Sequence, residues 1–248
     1  MTMTMSERAD ALEHEMIEAL DRIPVKSALY TSGERDPTQP MQRPPQPEGK
    51  YLLMGHDPRL PRMPERPTLV DFFRYRFAPA NHVLQSAALA RKNGMSEKIV
   101  LACLLHDIAI MGFIRSDHGY WAAQLVEPYV DEEVAWAIRY HQALRFYPDE
   151  SVGYAYPELY RKLFGDDYRP EPHVEAAYRY ARNHKWYMSA RMVTVNDLYA
   201  FDPDAVVSLD EFTDLIGRHF RQPKEGLGFD SSPAAHMWRT MNWPTRYL

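Results

Sequence analysis

Six side chains able to bind a metal fall on stretches whose other residues are largely apolar: His82, His106, Asp107, His118, His141 and Asp197. His106 and Asp107 stand side by side inside Ile99–Phe113, IVLACLLHDIAIMGF, an almost unbroken apolar run. Burying an imidazole and a carboxylate without partners is costly. A metal ion removes that cost, because it accepts a neutral imidazole and an anionic carboxylate together. The other four residues each fall on a separate predicted helix, which describes a metal site built inside a bundle. Asp107 can bridge two ions through its two oxygens. His82, His106 and Asp197 then complete one ion, and His118 and His141 the other. On spacing alone, Asn196 and Asp202 compete with Asp197. The donors are nitrogen and oxygen only, which suits iron, manganese, zinc or nickel. Cys103 is the only cysteine, so no thiolate cluster and no intrachain disulfide can form.

The elements that must position these groups read as helices throughout. Ser6–Leu20 spaces Leu12, Met16, Ile17 and Leu20 on one face of an amphipathic helix. Prolines at 37, 40, 44, 45, 47, 58, 61, 64 and 67 then forbid regular structure, so residues 36–67 are expected to form an extended arm. Thr68 and Asp71 form a capping box for a helix carrying Phe72, Phe73, Tyr75 and Phe77, a stripe expected to be core. A helix from Pro79 to Asn93 stops at Gly94. Ser96 is placed to cap the helix that holds His106 and Asp107, expected to run through the apolar segment to Phe113. Asp117 and Asp131 are placed to cap His118–Val126 and Glu132–Arg145. His173–Ala200 is helical with a kink near Asn183, and Ser208-Leu-Asp-Glu211 opens a helix ending near Phe220. The expected division is an N-terminal helix and arm (1–67), a helical metal-binding domain (68–221) and an irregular tail packed on it (222–248), anchored by Trp238 and Trp243. No period-two strand and no internal repeat is evident, so the fold class is all-α.

The order His … His-Asp … His … His … Asp resembles the HD-domain superfamily of metal-dependent hydrolases and oxygenases, over roughly Asp71–Phe220. Within it, His118-Gly-Tyr followed by Ala137-Ile-Arg-Tyr-His141 is similar to the third and fourth histidine segments of the myo-inositol oxygenase family. Asn196-Asp-Leu-Tyr199, followed by Asp214-Leu-Ile-Gly-Arg-His-Phe220, is similar to that family's closing segment and selects Asp197 over its rivals. The resemblance, shared with phosphonate-cleaving HD oxygenases, implies an HD-type helical bundle, two iron ions (Fe(II)/Fe(III)), and use of O2 against a C–H bond. The family's lysine after the HD pair is here Ile110, its lysine after the last aspartate is Phe201, and the serine after its fourth histidine is Gln142. Ala109 stands where a glycine is common. Those changes remove groups that grip a polyol, so inositol is not the expected substrate. Arg145 lies four residues after His141 on the same helical face and is a candidate for holding an anionic group. Gln142 is a second candidate substrate contact.

Composition is that of a globular protein of 248 residues, long enough to bury a sizeable core. The formal net charge of −5 offers no basic field for nucleic acid. The polar start, MTMTMSERADALEHEM, lacks the apolar stretch of a signal peptide, and Ile99–Phe113 is too short to span a bilayer. A cytoplasmic enzyme acting on a small molecule with O2, without membrane or nucleic acid, is therefore expected. The alternative is an HD phosphohydrolase using manganese, zinc or nickel on a phosphate ester or nucleotide. Against it, the chain has no glycine-rich phosphate loop and no lysine after the HD pair. A non-catalytic HD protein is disfavoured because no ligand position is missing.

Overall fold

The computed structural model describes residues 61–77, 80–109, 117–158, 160–161, 165–198, 200, 202 and 204–243, together with Ala11 and His14, both helical and exposed. The rest of the expected N-terminal helix and the arm before residue 61 lie outside the described residues. Among the described residues the fold is all helical, with no strand: α1 (Leu69–Tyr75), α2 (Ala80–Lys92), α3 (Glu97–Leu105), α4 (His118–Val126), α5 (Glu132–Arg145), α6 (Pro172–Arg182), α7 (Tyr187–Leu198), α8 (Thr213–His219) and α9 (Ala235–Asn242). None of these helices is long and apolar enough to cross a membrane.

Helix ends follow the local chemistry. Thr68 and Asp71 close a reciprocal capping box, Asp71 N donating to Thr68 Oγ1 at 3.1 Å and Thr68 N to the Asp71 carboxylate at 2.9 Å. Gly94, at φ 69°, ends α2 in a Schellman arrangement: Gly94 N reaches Arg91 O and Met95 N reaches Ala90 O, each at 3.0 Å. Ser96, Asp117 and Asp131 occupy the positions before their helices, but none makes a side-chain cap hydrogen bond.

The HD-bearing helix is shorter than its apolar run suggested. It stops at Leu105, and residues 106–109 form a turn. The reason is local: His106 Nδ1 takes the Cys103 carbonyl at 2.7 Å, a carbonyl that a continuing helix would bond to the Asp107 N–H. Residues 110–116 lie outside the described residues. The long helix expected over His173–Ala200 is two, α6 and α7, joined by a turn at 183–186.

The core forms where α5 packs on α3, α4, α6 and α7, with α2 laid across α3 and α7. Phe72, Phe73 and Phe77 are buried in it while Tyr75 faces outward. The tail was expected to be irregular but contains α9. Ala234, Ala235, Trp238 and Met241 are buried on one side of that helix, a stripe too short to stand out in the sequence. Trp238 donates Nε1–H to Leu125 O at 2.9 Å and meets Phe72 edge-on at 5.2 Å.

Candidate metal centre

The interior of the bundle holds the six residues singled out by their spacing. His82 comes from α2, His106 and Asp107 from the turn that follows α3, His118 from the first turn of α4, His141 from α5 and Asp197 from α7, all buried. Their donor atoms fall into two groups, each gathered within 4.8 Å: His82, His106, Asp107 and Asp197, and Asp107, His118 and His141. Asp107 belongs to both. Its Oδ2 lies 3.5 Å from His82 Nε2 and from His106 Nε2, and its Oδ1 lies 3.1 Å from His118 Nε2. Asp197 Oδ1 lies 3.0 Å from His82 Nε2 and 3.4 Å from His106 Nε2. His118 Nε2 and His141 Nε2 are 3.1 Å apart. Of the rivals to Asp197, Asn196 turns away and donates to Met192 O at 2.7 Å, and Asp202 is joined through its backbone to Gln85.

The surroundings determine which ring nitrogen faces inward. His82 Nδ1 bonds Ala200 O at 3.1 Å, His106 Nδ1 bonds Cys103 O at 2.7 Å, and His141 Nδ1 bonds Ile138 O at 2.6 Å. A carbonyl can only accept, so each Nδ1 carries a hydrogen and each ring turns its Nε2 to the centre, where a metal would take its lone pair. Gln85 braces this arrangement: its amide takes both Asp202 O at 2.8 Å and Asp202 N at 2.7 Å, steadying the segment that presents the Ala200 carbonyl.

Lone pairs and anionic oxygens at these distances repel unless positive charge lies among them. Among the described residues, the buried His106 Nε2 and Asp197 Oδ1 have no hydrogen-bond partner. Burial opposes a charged His106, but Asp107 and Asp197 outweigh it and raise its pKa to about 9. His141 is pushed the other way, to about 3, by burial and by the neighbouring His106 and His118 charges. Burial raises both carboxyls, yet Asp107 is held well below the usual range by the histidines around it, and Asp197 by Arg145 and His106. The chamber thus demands positive charge, and a donor set of imidazole nitrogens and carboxylate oxygens fits a pair of metal ions.

Arg145 lies against this centre, its Nη1 3.1 Å from Asp197 Oδ2 and its guanidinium 5.2 Å from the Tyr160 ring. Gln142 is turned about 100° from His141 around α5. It lines an outer cleft, and its Oε1 accepts from Gly119 N at 3.3 Å. Two features escaped the sequence reading. Gly119 is needed by close approach: a Cβ there would stand 2.8 Å from Ile138 O and 3.0 Å from His141 Cε1. In the sequence it stood out only as a glycine inside a helix and as part of the His118-Gly-Tyr segment, neither of which told of the contact. The other is a fully buried arginine, Arg191, bonded to Leu144 O at 3.0 Å and to Tyr187 Oη at 3.1 Å beside Asp149. Nothing local marked it as buried.

The family model for the HD domain matches residues 80–151, a span that includes His82, His106, Asp107, His118 and His141 and stops short of Asp197. A 1-hydroxy-2-(trimethylamino)ethylphosphonate dioxygenase (glycine-betaine-forming) from Leisingera caerulea is 31% identical across 27% of this chain and 40% of the relative. The similarity therefore spans less than half of that protein's length. Residues 80–151 are thus similar to the HD domain, and His106 and Asp107 within them stand at the junction of the two donor groups.

Proposed function

We propose that this protein is a metal-dependent oxygenase of the HD superfamily that holds two iron ions, one Fe(II) and one Fe(III), and uses O2 to oxidise or cleave a small hydroxylated substrate. The observation that carries the reading is the sharing of Asp107 between two donor groups, which provides for a pair of ions bridged by one carboxylate. The similarity to a phosphonate dioxygenase supports oxygenase over hydrolase chemistry.

In this reading His82, His106 and Asp197 hold one ion, His118 and His141 the other, and Asp107 both. A pair of irons held there would supply Lewis acidity towards a substrate hydroxyl and redox chemistry towards O2. The chain's own contribution is order and dryness. The Nδ1–carbonyl bonds aim the histidines, and Arg145 holds one oxygen of Asp197 so that the other faces the centre. Side-chain exposure is 8% at Asp107, His118 and Arg145, against 1% or less at His82, His106 and Asp197. These small openings support approach of substrate and O2 past Asp107 and His118, and in this reading Arg145 offers its guanidinium to an anionic substrate group.

The same nitrogen and oxygen donors also suit zinc, manganese or nickel in a phosphohydrolase. Metal analysis, EPR after mild reduction in air, and O2 uptake with hydroxylated acids, phosphonates and polyols separate the two. Iron, a mixed-valent di-iron signal and substrate-dependent O2 uptake are expected. Another metal with turnover of a phosphate ester or nucleotide overturns the oxygenase in favour of the hydrolase.

A further inference from the structure

A cleft of about 540 Å³ opens between α4, α5 and α6, on the outer side of the helices that carry His118 and His141. Its volume is in the range of small-molecule sites. Trp121, Tyr140, Phe146 and Tyr180 form much of the wall, and Arg139 and Tyr120 stand beside them. The Arg139 guanidinium lies over the Tyr120 ring at 4.6 Å and near the Tyr140 ring at 5.9 Å. It is exposed and makes no ion pair among the described residues. The acidic group of the cleft, Asp117, is engaged with His173: Oδ1 lies 3.0 Å from His173 Nε2. Rings grouped around an exposed planar cation make a surface for a flat anion. The guanidinium fork matches a carboxylate, sulfonate or phosphate, and the rings stack on an aromatic plane.

We propose that this cleft is a second ligand site, separate from the metal centre, for a small aromatic anion. The ring of the ligand lies among Trp121, Tyr140 and Tyr180, and its acidic group meets Arg139. The separation follows from α5, where His141 points into the bundle while Arg139, Tyr140, Gln142 and Ala143 line the cleft. Between the two spaces Gln142 Oε1 accepts from Gly119 N and ties α5 to α4. The proposal does not depend on which metal the centre holds.

The test is calorimetric titration of the full chain, as purified with its metal, with 2-naphthalenesulfonate, whose acidic group is a poor ligand for transition metals. Inorganic sulfate and 2-naphthylmethanol supply the charge and the ring separately. The sulfonate is expected to bind at least about tenfold more tightly than either control, since both halves of the site are then used. Arg139→Gln removes the charge at an exposed position and is expected to weaken binding by about tenfold or more. Ala177→Phe, on the cleft wall, is expected to block binding by filling the space. Metal content, measured in parallel, is expected to stay at the wild-type level in both variants. No binding at millimolar concentration, affinity unchanged in both variants, or a loss that follows metal content overturns the proposal.

Discussion

Arg145 Nη1 and Asp197 Oδ2 lie 3.1 Å apart, and both side chains are almost closed to solvent. One carboxylate oxygen thus faces a guanidinium and the other faces His82 and His106. Removing one partner of a buried pair leaves an uncompensated charge. Arg145→Met is expected to destabilise the metal-free protein by about 3 kcal/mol. The loss should be smaller in the metal-loaded protein, where bound cations also neutralise Asp197. Denaturant unfolding with and without chelator checks both values. Equal losses in the two states would show that Arg145 acts by packing alone.

Because Asp107 belongs to both donor groups, its substitution should differ in kind from the others. Asp107→Ala is expected to lose both ions, whereas His141→Ala and His82→Ala should each deplete one group first. Metal-to-protein ratios after desalting distinguish these outcomes. Melting temperature should fall in step, since the ligands left behind become buried and unpaired.

Gly119→Ala puts a methyl group against Ile138 O and the His141 ring. Backbone cannot yield cheaply there, so a loss of about 1–3 kcal/mol is expected. Metal should be depleted at the His118–His141 side while the His82–His106 side is retained. Thermal unfolding and metal analysis of the one variant test both parts.

The Asp149 carboxyl is held below the usual carboxylate range by hydrogen bonds from Ser151 and Tyr187 and by the Arg191 charge, against the opposing effect of burial. A folded-state value lower than the unfolded one stabilises the protein above the unfolded value of about 4. That contribution disappears as pH falls through the folded value. Wild type should therefore exceed Asp149→Asn in stability at pH 7, and the gap should narrow below about pH 4. Paired denaturation curves from pH 7 to pH 3.5 measure it; a gap independent of pH would show that the carboxylate charge contributes nothing.

The helical fold was readable from the chain because helix formation rests on local pattern. The Thr68–Asp71 box, the stop at Gly94 and the apolar faces of α2 and α5 are each set by residues within a few positions of one another. Five residues of the centre could be named for a related reason, since imidazoles and carboxylates within apolar stretches stand out against their own neighbours; Asp197 was separated from Asn196 and Asp202 only by resemblance to a known family segment. Local pattern misled where a side chain competed with the backbone. His106 takes the Cys103 carbonyl, and the helix ends eight residues before the apolar run does at Phe113.

By itself the sequence determined that helices would form and which polar groups would need burial with a positive partner, since propensity, capping and hydrophobic period act within a turn or two of chain. Only the tertiary structure decided how those groups meet. The pairing of Arg145 with Asp197, the contact of Gly119 with His141, the burial of Arg191 and the setting of Arg139 in an aromatic cleft each join different helices. Such contacts depend on how helices far apart in the chain pack, and no local pattern of residues encodes that distance.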